Sequence, residues 1–307
     1  MAMEKRLIQN QVLNSKLITL LISTLISLVG CSEPPVDQPY AYSEVCLTSG
    51  YFTQGSDEHY TEELPKQQVF VEGFCIDSHE VTIGQFADFV KETGYQTLAE
   101  TGPSRSDYPS APDSFFQPGS AIYVFPTAFE SGYWTFNQQA SWQNPRGDFS
   151  SVPEQSKHPV THIALKDAQA YAKWLGRRLP SEKEWEYAAK FNQQDSVNND
   201  DTPKANIWHG IFPHNNTLED GYLATAPVMS YAASSAGLYD MIGNVWEWTA
   251  DPYNKNGSNH YTIKGGSHLC AKNACARYRP SARQPQEIGL GTSHVGFRTV
   301  RDIGSED

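Results

Sequence analysis

Alternating apolar and polar residues predict short strands where the folded part of the chain begins. Residues 45–52 and 68–72 alternate in this way and are rich in β-branched and aromatic side chains, which favours strands. Residues 73–80 continue in extended conformation. We therefore expect the folded domain to begin near Ser43 with paired strands.

Apolar residues at helical spacing then predict a first helix after Thr82. Thr82 and Gln85 have the spacing of a capping box, and Gly94 is the type of residue that ends a helix. Phe86 and Phe89 lie on one face between them, so we expect both rings in the core.

Two further helices are predicted in the middle of the chain. Residues 167–174 carry Ala168, Tyr171 and other apolar side chains at helical spacing. Pro180 then interrupts the chain. Ser181 and Glu184 form a second capping-box pattern, which predicts a helix over residues 181–191.

The remaining segments lack a sustained period. The chain has 307 residues with 22 Gly and 19 Pro, which predicts many loops and few long helices. Residues 102–156 are rich in Pro, Ser, Asp and aromatic residues, and we expect an ordered loop with short strands, because its Trp and Phe side chains need burial. Residues 192–203 predict a polar loop, and short strands and turns are expected after Tyr222.

The charge balance limits the possible partners. The formal net charge is −12, and binding to a phosphate backbone needs a positive surface. A nucleic-acid-binding function is therefore excluded.

The N-terminus has the pattern of a targeting segment. Basic residues precede a mostly apolar stretch, residues 17–29, that is short for a bilayer span. It ends in Leu-Val-Gly-Cys at residues 28–31, which resembles a bacterial lipobox and implies cleavage before Cys31 and acylation of that residue. The alternative is an ordinary secretory signal cleaved near Gly30.

The lipobox interpretation divides the chain into three parts. Residues 1–30 would be the signal peptide, residues 31–42 a Pro-rich tether after lipidated Cys31, and residues 43–307 the folded domain. Ser32 follows the cysteine, and no Asp is present there to retain the protein at the inner membrane. We expect a lipoprotein that faces the periplasm from the outer membrane.

Four cysteines remain in an oxidising compartment, and they allow three pairings. Pairing by proximity in sequence joins Cys46 to Cys75 and Cys270 to Cys275. The second pair could equally bind a soft metal or carry out redox chemistry. A zinc site is disfavoured, because zinc takes four ligands and a second close pair is not visible.

Long segments of the chain resemble the formylglycine-generating enzyme superfamily, also called sulfatase-modifying factors. The resemblance implies an α+β fold that is a large variant of the C-type-lectin-like fold, with little regular secondary structure. It is carried by residues 158–168 (HPVTHIALKDA), 176–188 (GRRLPSEKEWEYA), 237–249 (GLYDMIGNVWEWT) and 296–298 (GFR).

The cysteine segment is similar to the catalytic segment of the active members. The resemblance implies that Cys270 and Cys275 bind one copper(I), a soft ion that prefers thiolates. The activity implied is oxidation of a cysteine to Cα-formylglycine with molecular oxygen. Ser267 matches the active-site serine of the family and would orient oxygen or substrate.

The implied substrate is an unfolded sulfatase segment of the form Cys-x-Pro-x-Arg, bound by a monomeric enzyme. Trp246 matches an aromatic residue at the site, and His294 stands where the family often has Asn. Glu80 matches in position and could pair with the substrate arginine. However, its Glu-Val-Thr motif is common to the superfamily, which favours a structural role for this residue.

The resemblance also implies two calcium sites built from oxygen ligands, which suit this hard cation. Side chains would supply some ligands and backbone carbonyls the others. The alternative for the second site is that its carboxylates only bind turn amides. The first set is Asn206, Ile207, Asp220 and Tyr222, and the second is Asp240, Gly243, Val245 and Glu247.

Some residues depart from the family pattern. Residues 271–274 lack the usual His and aromatic residue between the cysteines, and residues 284–287 replace the usual polar stretch. These changes spare the copper ligands but leave the target protein open. The main alternative function is a non-catalytic binding or assembly lipoprotein with Cys270 and Cys275 in a disulfide. A thiol–disulfide enzyme is disfavoured, because the spacing is not Cys-x-x-Cys.

Overall fold

A computed structural model describes residues 42–106, 109–150, 154–191, 204–254 and 259–304. Contacts divide the chain into two units, and the described residues all belong to the second, Pro39–Asp307. The predicted signal peptide, lipidated Cys31 and the tether up to residue 41 lie outside the described residues. Within the described ranges, none of the helices combines the length and the apolar character that a membrane span requires.

The strands are short, and most belong to two small sheets. The strands are β1 Glu44–Leu47, β2 Gly50–Gln54, β3 Gln67–Val71, β4 Phe74–Asp77, β5 Ser120–Val124, β6 Tyr133–Asn137, β7 Gly210–Ile211, β8 Asn215–Asn216, β9 Trp246–Pro252, β10 His260–Lys264, β11 Gln284–Glu287, β12 Val295–Gly296 and β13 Val300–Asp302. One sheet has the order β1-β4-β13 and the other β11-β10-β9-β12, while β2-β3, β5-β6 and β7-β8 form separate pairs. All pairings are antiparallel except β12 with β9.

The register of β1 on β4 explains the first cysteine pair. Cys46 lies directly opposite Cys75 in this antiparallel ladder, and the two residues form a disulfide. The prediction for this pair is confirmed. The bridge joins two strands of the sheet that begins the folded domain.

The helices are few and short, as predicted. They are α1 Ile83–Thr93, α2 Leu98–Thr101, α3 Leu165–Trp174 and α4 Glu182–Lys190. The Thr82 hydroxyl accepts the Gln85 N–H, the Gln85 side chain accepts the Thr82 N–H, and Gly94 ends α1 with a φ of 66°. Ser181 and Glu184 form the same capping box at α4.

Helix α3 begins earlier than predicted, and α2 was not predicted at all. The carboxylate of Asp167 accepts the N–H of Ala164 at 2.9 Å and the N–H of Leu98 at 3.2 Å. One buried acid therefore caps the start of α3 and holds the start of α2. The second of these contacts spans most of the distance between two helices in sequence, which local periodicity cannot show.

The helices pack their apolar faces on the two sheets. Phe86 of α1 and Tyr171 of α3 are stacked in one cluster that also contains Trp246 and Phe297. A second cluster surrounds Trp185 of α4 and includes residues from β1, β3 and β4. The mixed α+β class is thus confirmed, and the predicted core residues of α1 are buried.

The middle region, residues 102–156, follows the sequence only in part. It contains the predicted short strands, β5 and β6, and Trp142 is buried. However, Phe129 is 96% exposed, Phe136 50% and Trp134 43%, so the expectation that its Trp and Phe side chains are buried is wrong for these three. The β5–β6 hairpin turns these rings away from the core.

A fully buried ion pair joins the C-terminal segment to β9. Arg298 donates from Nε and from Nη2 to the two oxygens of Glu247, each at 2.7 Å. Trp185 of α4 donates its indole N–H to the same carboxylate at 2.7 Å. Because both charged side chains have an exposure of 1% or less, each depends on the other for compensation.

We predict that Arg298→Met lowers the free energy of unfolding by about 3–5 kcal/mol, because it leaves the Glu247 carboxylate buried without its partner. Urea denaturation followed by tryptophan fluorescence measures the loss. Arg105→Met is the matched control, since it removes an exposed pair with Asp113 and should leave stability nearly unchanged. A loss at Arg298 no larger than that of the control would contradict the role given to this pair.

Candidate functional site

The second cysteine pair lies at the end of β10, where two turns bring the thiols together. The N–H of Cys270 bonds to the carbonyl of Ser267, and the N–H of Cys275 bonds to the carbonyl of Ala271. Both residues are free thiols, and their sulfur atoms are 3.3 Å apart. Cys270 is buried and Cys275 is half-buried. The structure thus contains a dithiol here and not a disulfide.

The glycines before the pair allow a close approach of two segments. Gly266 has a φ of 77°, and a Cβ atom on it would lie 2.7 Å from the Cα of Tyr278. Only glycine fits this position without displacing backbone. The turn therefore fixes the start of the cysteine segment against its end.

Ser267 is brought to the same place, as predicted. Its side chain is fully buried, its hydroxyl accepts the N–H of Leu269 at 3.2 Å, and it also hydrogen-bonds the sulfur of Cys270. Cys270, Cys275 and Ser267 therefore form one constellation.

The two thiols share a proton unequally. The hydrogen bond from Cys270, together with contacts from the backbone and side chain of Arg277, lowers the pKa of Cys275 to about 6. The same hydrogen bond and burial raise the pKa of Cys270. At neutral pH the pair therefore holds a Cys275 thiolate that accepts the S–H of Cys270.

Arg277 is a site residue that the sequence did not reveal. Its guanidinium donates to Glu62 at 2.8 Å and lies 4.0 Å from the centre of the Tyr60 ring. These partners come from the loop between β2 and β3, more than 200 residues away in sequence. The Ala-Arg-Tyr-Arg run was visible as a cationic stretch, but no local pattern indicated its partners.

Two of the three predicted substrate contacts lie near the cysteines. Trp246 packs in the same core cluster as Cys270, and its N–H bonds to the carbonyl of His294 at 2.8 Å. The ring of His294 lies 4.8 Å from that of Trp134, and burial lowers its pKa to about 3. His268 also has a pKa lowered by burial, to about 4, so both rings are neutral at neutral pH.

The prediction for Glu80 is wrong. Its side chain is fully buried, and one oxygen accepts the amide N–H of Asn244 at 3.1 Å. Burial, and then the nearby Asp240, raise the pKa of Glu80. A substrate side chain cannot contact a carboxyl in this position, so the residue has the structural role that its common motif favoured.

A cavity of about 720 Å³ reaches the cysteine segment through His268. The Nδ1–H of His268 donates to the carbonyl of Asn244, which fixes the ring at the cavity wall. Neither cysteine lines this space. Its walls are mostly apolar and include Ile122, Tyr123, Val124, Phe125, Pro159 and Leu223.

The residues at the cysteine pair fit a copper(I) ion. Two thiols at short distance, one of them already a thiolate, are the soft donors that this ion prefers. The first set of predicted calcium ligands also fits a cation, because the Asn206 Oδ1 and Asp220 Oδ2 atoms are buried without a hydrogen-bond partner. Asp220 lies against the first pair of residues, since it receives the N–H of Ile207.

The second predicted calcium set differs. Both oxygens of Glu247 accept hydrogen bonds from Arg298, and Asp240 accepts the N–H of Met229 at 2.8 Å. Gly243 and Val245 lie between them in the turn before β9. Protein donors thus already satisfy the carboxylates of this set, as the turn-amide alternative states for Asp240.

Comparisons with known proteins address the family. The family described as "Sulfatase-modifying factor enzyme 1-like domain" matches residues 33–303. The chain is similar to "Formylglycine-generating enzyme" of Mycobacterium tuberculosis, with 39% identity over 84% of this chain and 97% of the relative. The relative of that name from Mus musculus is 36% identical over 84% of this chain and 74% of its own length.

Two other relatives refine this picture. "Inactive C-alpha-formylglycine-generating enzyme 2" of Mus musculus is 31% identical over 91% of this chain and 92% of its own length. Among solved structures, that of PvdO from Pseudomonas aeruginosa matches with a TM-score of 0.58 and 21% identity, covering 85% of this chain and 94% of PvdO. The expected fold is confirmed, while sequence similarity extends to both active and inactive relatives.

We predict that Cys275 is alkylated by iodoacetamide with a half-maximal rate near pH 6. The thiolate is the nucleophile, and a pKa lowered to about 6 keeps it populated until the pH falls below that value. Mass spectrometry of the Cys275 peptide at a series of pH values measures the midpoint. Arg277→Met should move the midpoint up toward about 8.5, the ordinary thiol value, because it removes a cation beside the sulfur.

Arg105→Met, an exposed arginine outside the site, is the control and should leave the midpoint in place. A midpoint near the ordinary thiol value in the unchanged chain would show that the thiolate is not stabilised.

Proposed function

Because this chain belongs to the sulfatase-modifying factor family, we propose that it is a catalytic member that oxidises a cysteine of an unfolded sulfatase to Cα-formylglycine. The substrate segment would have the form Cys-x-Pro-x-Arg. Its Cβ would lose the sulfur and gain a carbonyl oxygen, and the electrons would pass to molecular oxygen.

The dithiol is the observation that supports catalysis. Cys270 and Cys275 are free and 3.3 Å apart, with the Ser267 hydroxyl on one of the sulfurs. A purely structural pair in an oxidising compartment would be expected as a disulfide. An inactive relative of similar length means that family membership alone does not decide the activity, so the proposal depends on this arrangement.

Cys270 and Cys275 would hold one copper(I), which supplies a soft centre for binding the substrate thiolate and activating oxygen. The chain provides the surroundings. Arg277 offsets the negative charge of Cys275, and the Ser267 hydroxyl offers a hydrogen bond beside Cys270. The buried Trp246 and the neutral His294 exclude water and charge from this side of the pair.

We further propose that an ion is bound by the first ligand set, where Asn206 and Asp220 leave buried oxygens without partners. The carbonyls of Ile207 and Tyr222 would complete it. The second set, Asp240, Gly243, Val245 and Glu247, remains a weaker proposal for calcium, because protein donors already occupy its carboxylates.

We place the enzyme on a lipid anchor at Cys31, facing the periplasm. This part of the proposal rests on the sequence of residues 17–31 alone. A protein in this location would meet a secreted sulfatase before it folds, which suits a substrate that must be unfolded.

We predict that the reduced, copper-loaded chain converts a Cys-x-Pro-x-Arg peptide to an aldehyde product in the presence of oxygen. Hydrazide labelling and the mass change from CH2SH to CHO detect it. Cys270→Ser and Cys275→Ser should abolish product, because each removes one of the two sulfur donors, while Arg105→Met should retain it. Absence of product from the unchanged chain, with copper bound, would favour the non-catalytic binding module.

We predict that Cys31→Ser abolishes incorporation of an alkyne-tagged fatty acid in a bacterial host. Acylation needs the cysteine sulfur and the new amino group, and serine has no sulfur. In-gel fluorescence after click labelling, with membrane fractionation, measures the effect. Ser32→Ala, the adjacent residue, is the control and should be labelled normally. Cleavage near Gly30 without labelling of the unchanged chain would establish the ordinary secretory signal instead.

A further inference from the structure

A histidine outside the predicted ligand sets lies at the first of them. Three buried polar atoms of the described residues lack hydrogen-bond partners there: Asn206 Oδ1, Asp220 Oδ2 and His209 Nε2. Buried polar atoms are normally satisfied, and each one left without a partner carries a desolvation cost. A single bound ion would satisfy these atoms together.

The spacing of the imidazole and the carboxylate fits a shared ion. His209 Nε2 and Asp220 Oδ2 are 3.7 Å apart, which is too long for a hydrogen bond between them. Two ligands that each lie about 2.0–2.2 Å from one zinc ion are separated by about 3–4 Å. The two side chains therefore stand at the distance that such an ion imposes.

The histidine is held in place by its backbone and by a second carboxylate. Its N–H donates to the Asn216 side chain at 3.3 Å, and its carbonyl accepts the N–H of Thr217 at 2.7 Å. Its other ring nitrogen, Nδ1, lies 3.7 Å from Glu219. A carboxylate behind a histidine is the usual surrounding of a metal-bound imidazole.

We propose that Asn206, His209 and Asp220 form one metal site and that it takes zinc(II) in preference to calcium. Calcium binds oxygen ligands, whereas imidazole is a ligand for zinc and other transition ions. The imidazole thus changes the class of ion that the oxygen-only set would select. The site is separate from the dithiol and does not depend on the proposed oxidase activity.

The ion would stabilise the segment that carries the cysteines. Trp208, between two of the ligands, donates its N–H to the carbonyl of Cys270 at 3.0 Å. Asn206 also donates to the side chain of Asn244 at 3.0 Å, and Asn244 accepts from His268. Ligation of these residues therefore fixes the backbone beside the dithiol.

The test uses the full-length chain with Cys270→Ser and Cys275→Ser, which removes the thiols as a competing zinc site. Isothermal titration with Zn²⁺ and, separately, with Ca²⁺ gives the two affinities, and Co²⁺ as a probe gives visible d–d bands that report nitrogen ligation. We expect one equivalent of Zn²⁺ that binds at least about tenfold more tightly than Ca²⁺.

His209→Gln keeps a polar side chain but removes the imidazole. We expect it to weaken Zn²⁺ binding at least about tenfold, to weaken or shift the Co²⁺ bands, and to leave Ca²⁺ binding in place. His214→Gln is the matched control, since His214 is exposed and bonds to Ser131. The melting temperature with and without Zn²⁺ gives an independent readout.

Tighter binding of Ca²⁺ than of Zn²⁺ by the unchanged site would overturn the proposal, as would Zn²⁺ binding that His209→Gln does not alter. Because the dithiol is absent from every protein in this experiment, its outcome is independent of whether the chain makes formylglycine.

Discussion

The buried pair of Arg298 and Glu247 is the interaction on which the architecture around the site depends. Besides the carboxylate, Arg298 donates to the carbonyls of Asp77 and Tyr239. One guanidinium thus joins the end of β4, the turn before β9 and β9 itself. Since regular secondary structure is sparse, such side-chain bonds replace the long ladders and helices that order other folds.

This framework produces a site with little free charge. Burial lowers the pKa of His268 to about 4 and that of His294 to about 3, so these rings are neutral at neutral pH. The remaining charge is the Cys275 thiolate, beside the Arg277 guanidinium. A soft cation that replaces the shared proton between the sulfurs would therefore meet negative charge only where its ligands are.

Local patterns predicted the local structure well. The capping boxes at Thr82 and Ser181 set the helix starts, because the bonds that define a cap lie within four residues. The cysteine segment was also found from spacing. By contrast, Arg277 and His209 acquire their roles from Glu62 and Asp220, which no periodicity connects to them.

The correction at Glu80 has a structural meaning of its own. Glu80 accepts from the Asn244 side chain, and the Asn244 carbonyl accepts from both the N–H and the ring of His268. The same asparagine accepts from Asn206. It therefore connects the buried acid, the candidate metal ligands and the segment of the dithiol. A side chain that seemed suited to bind substrate instead helps to hold the position of the residues that would react with it.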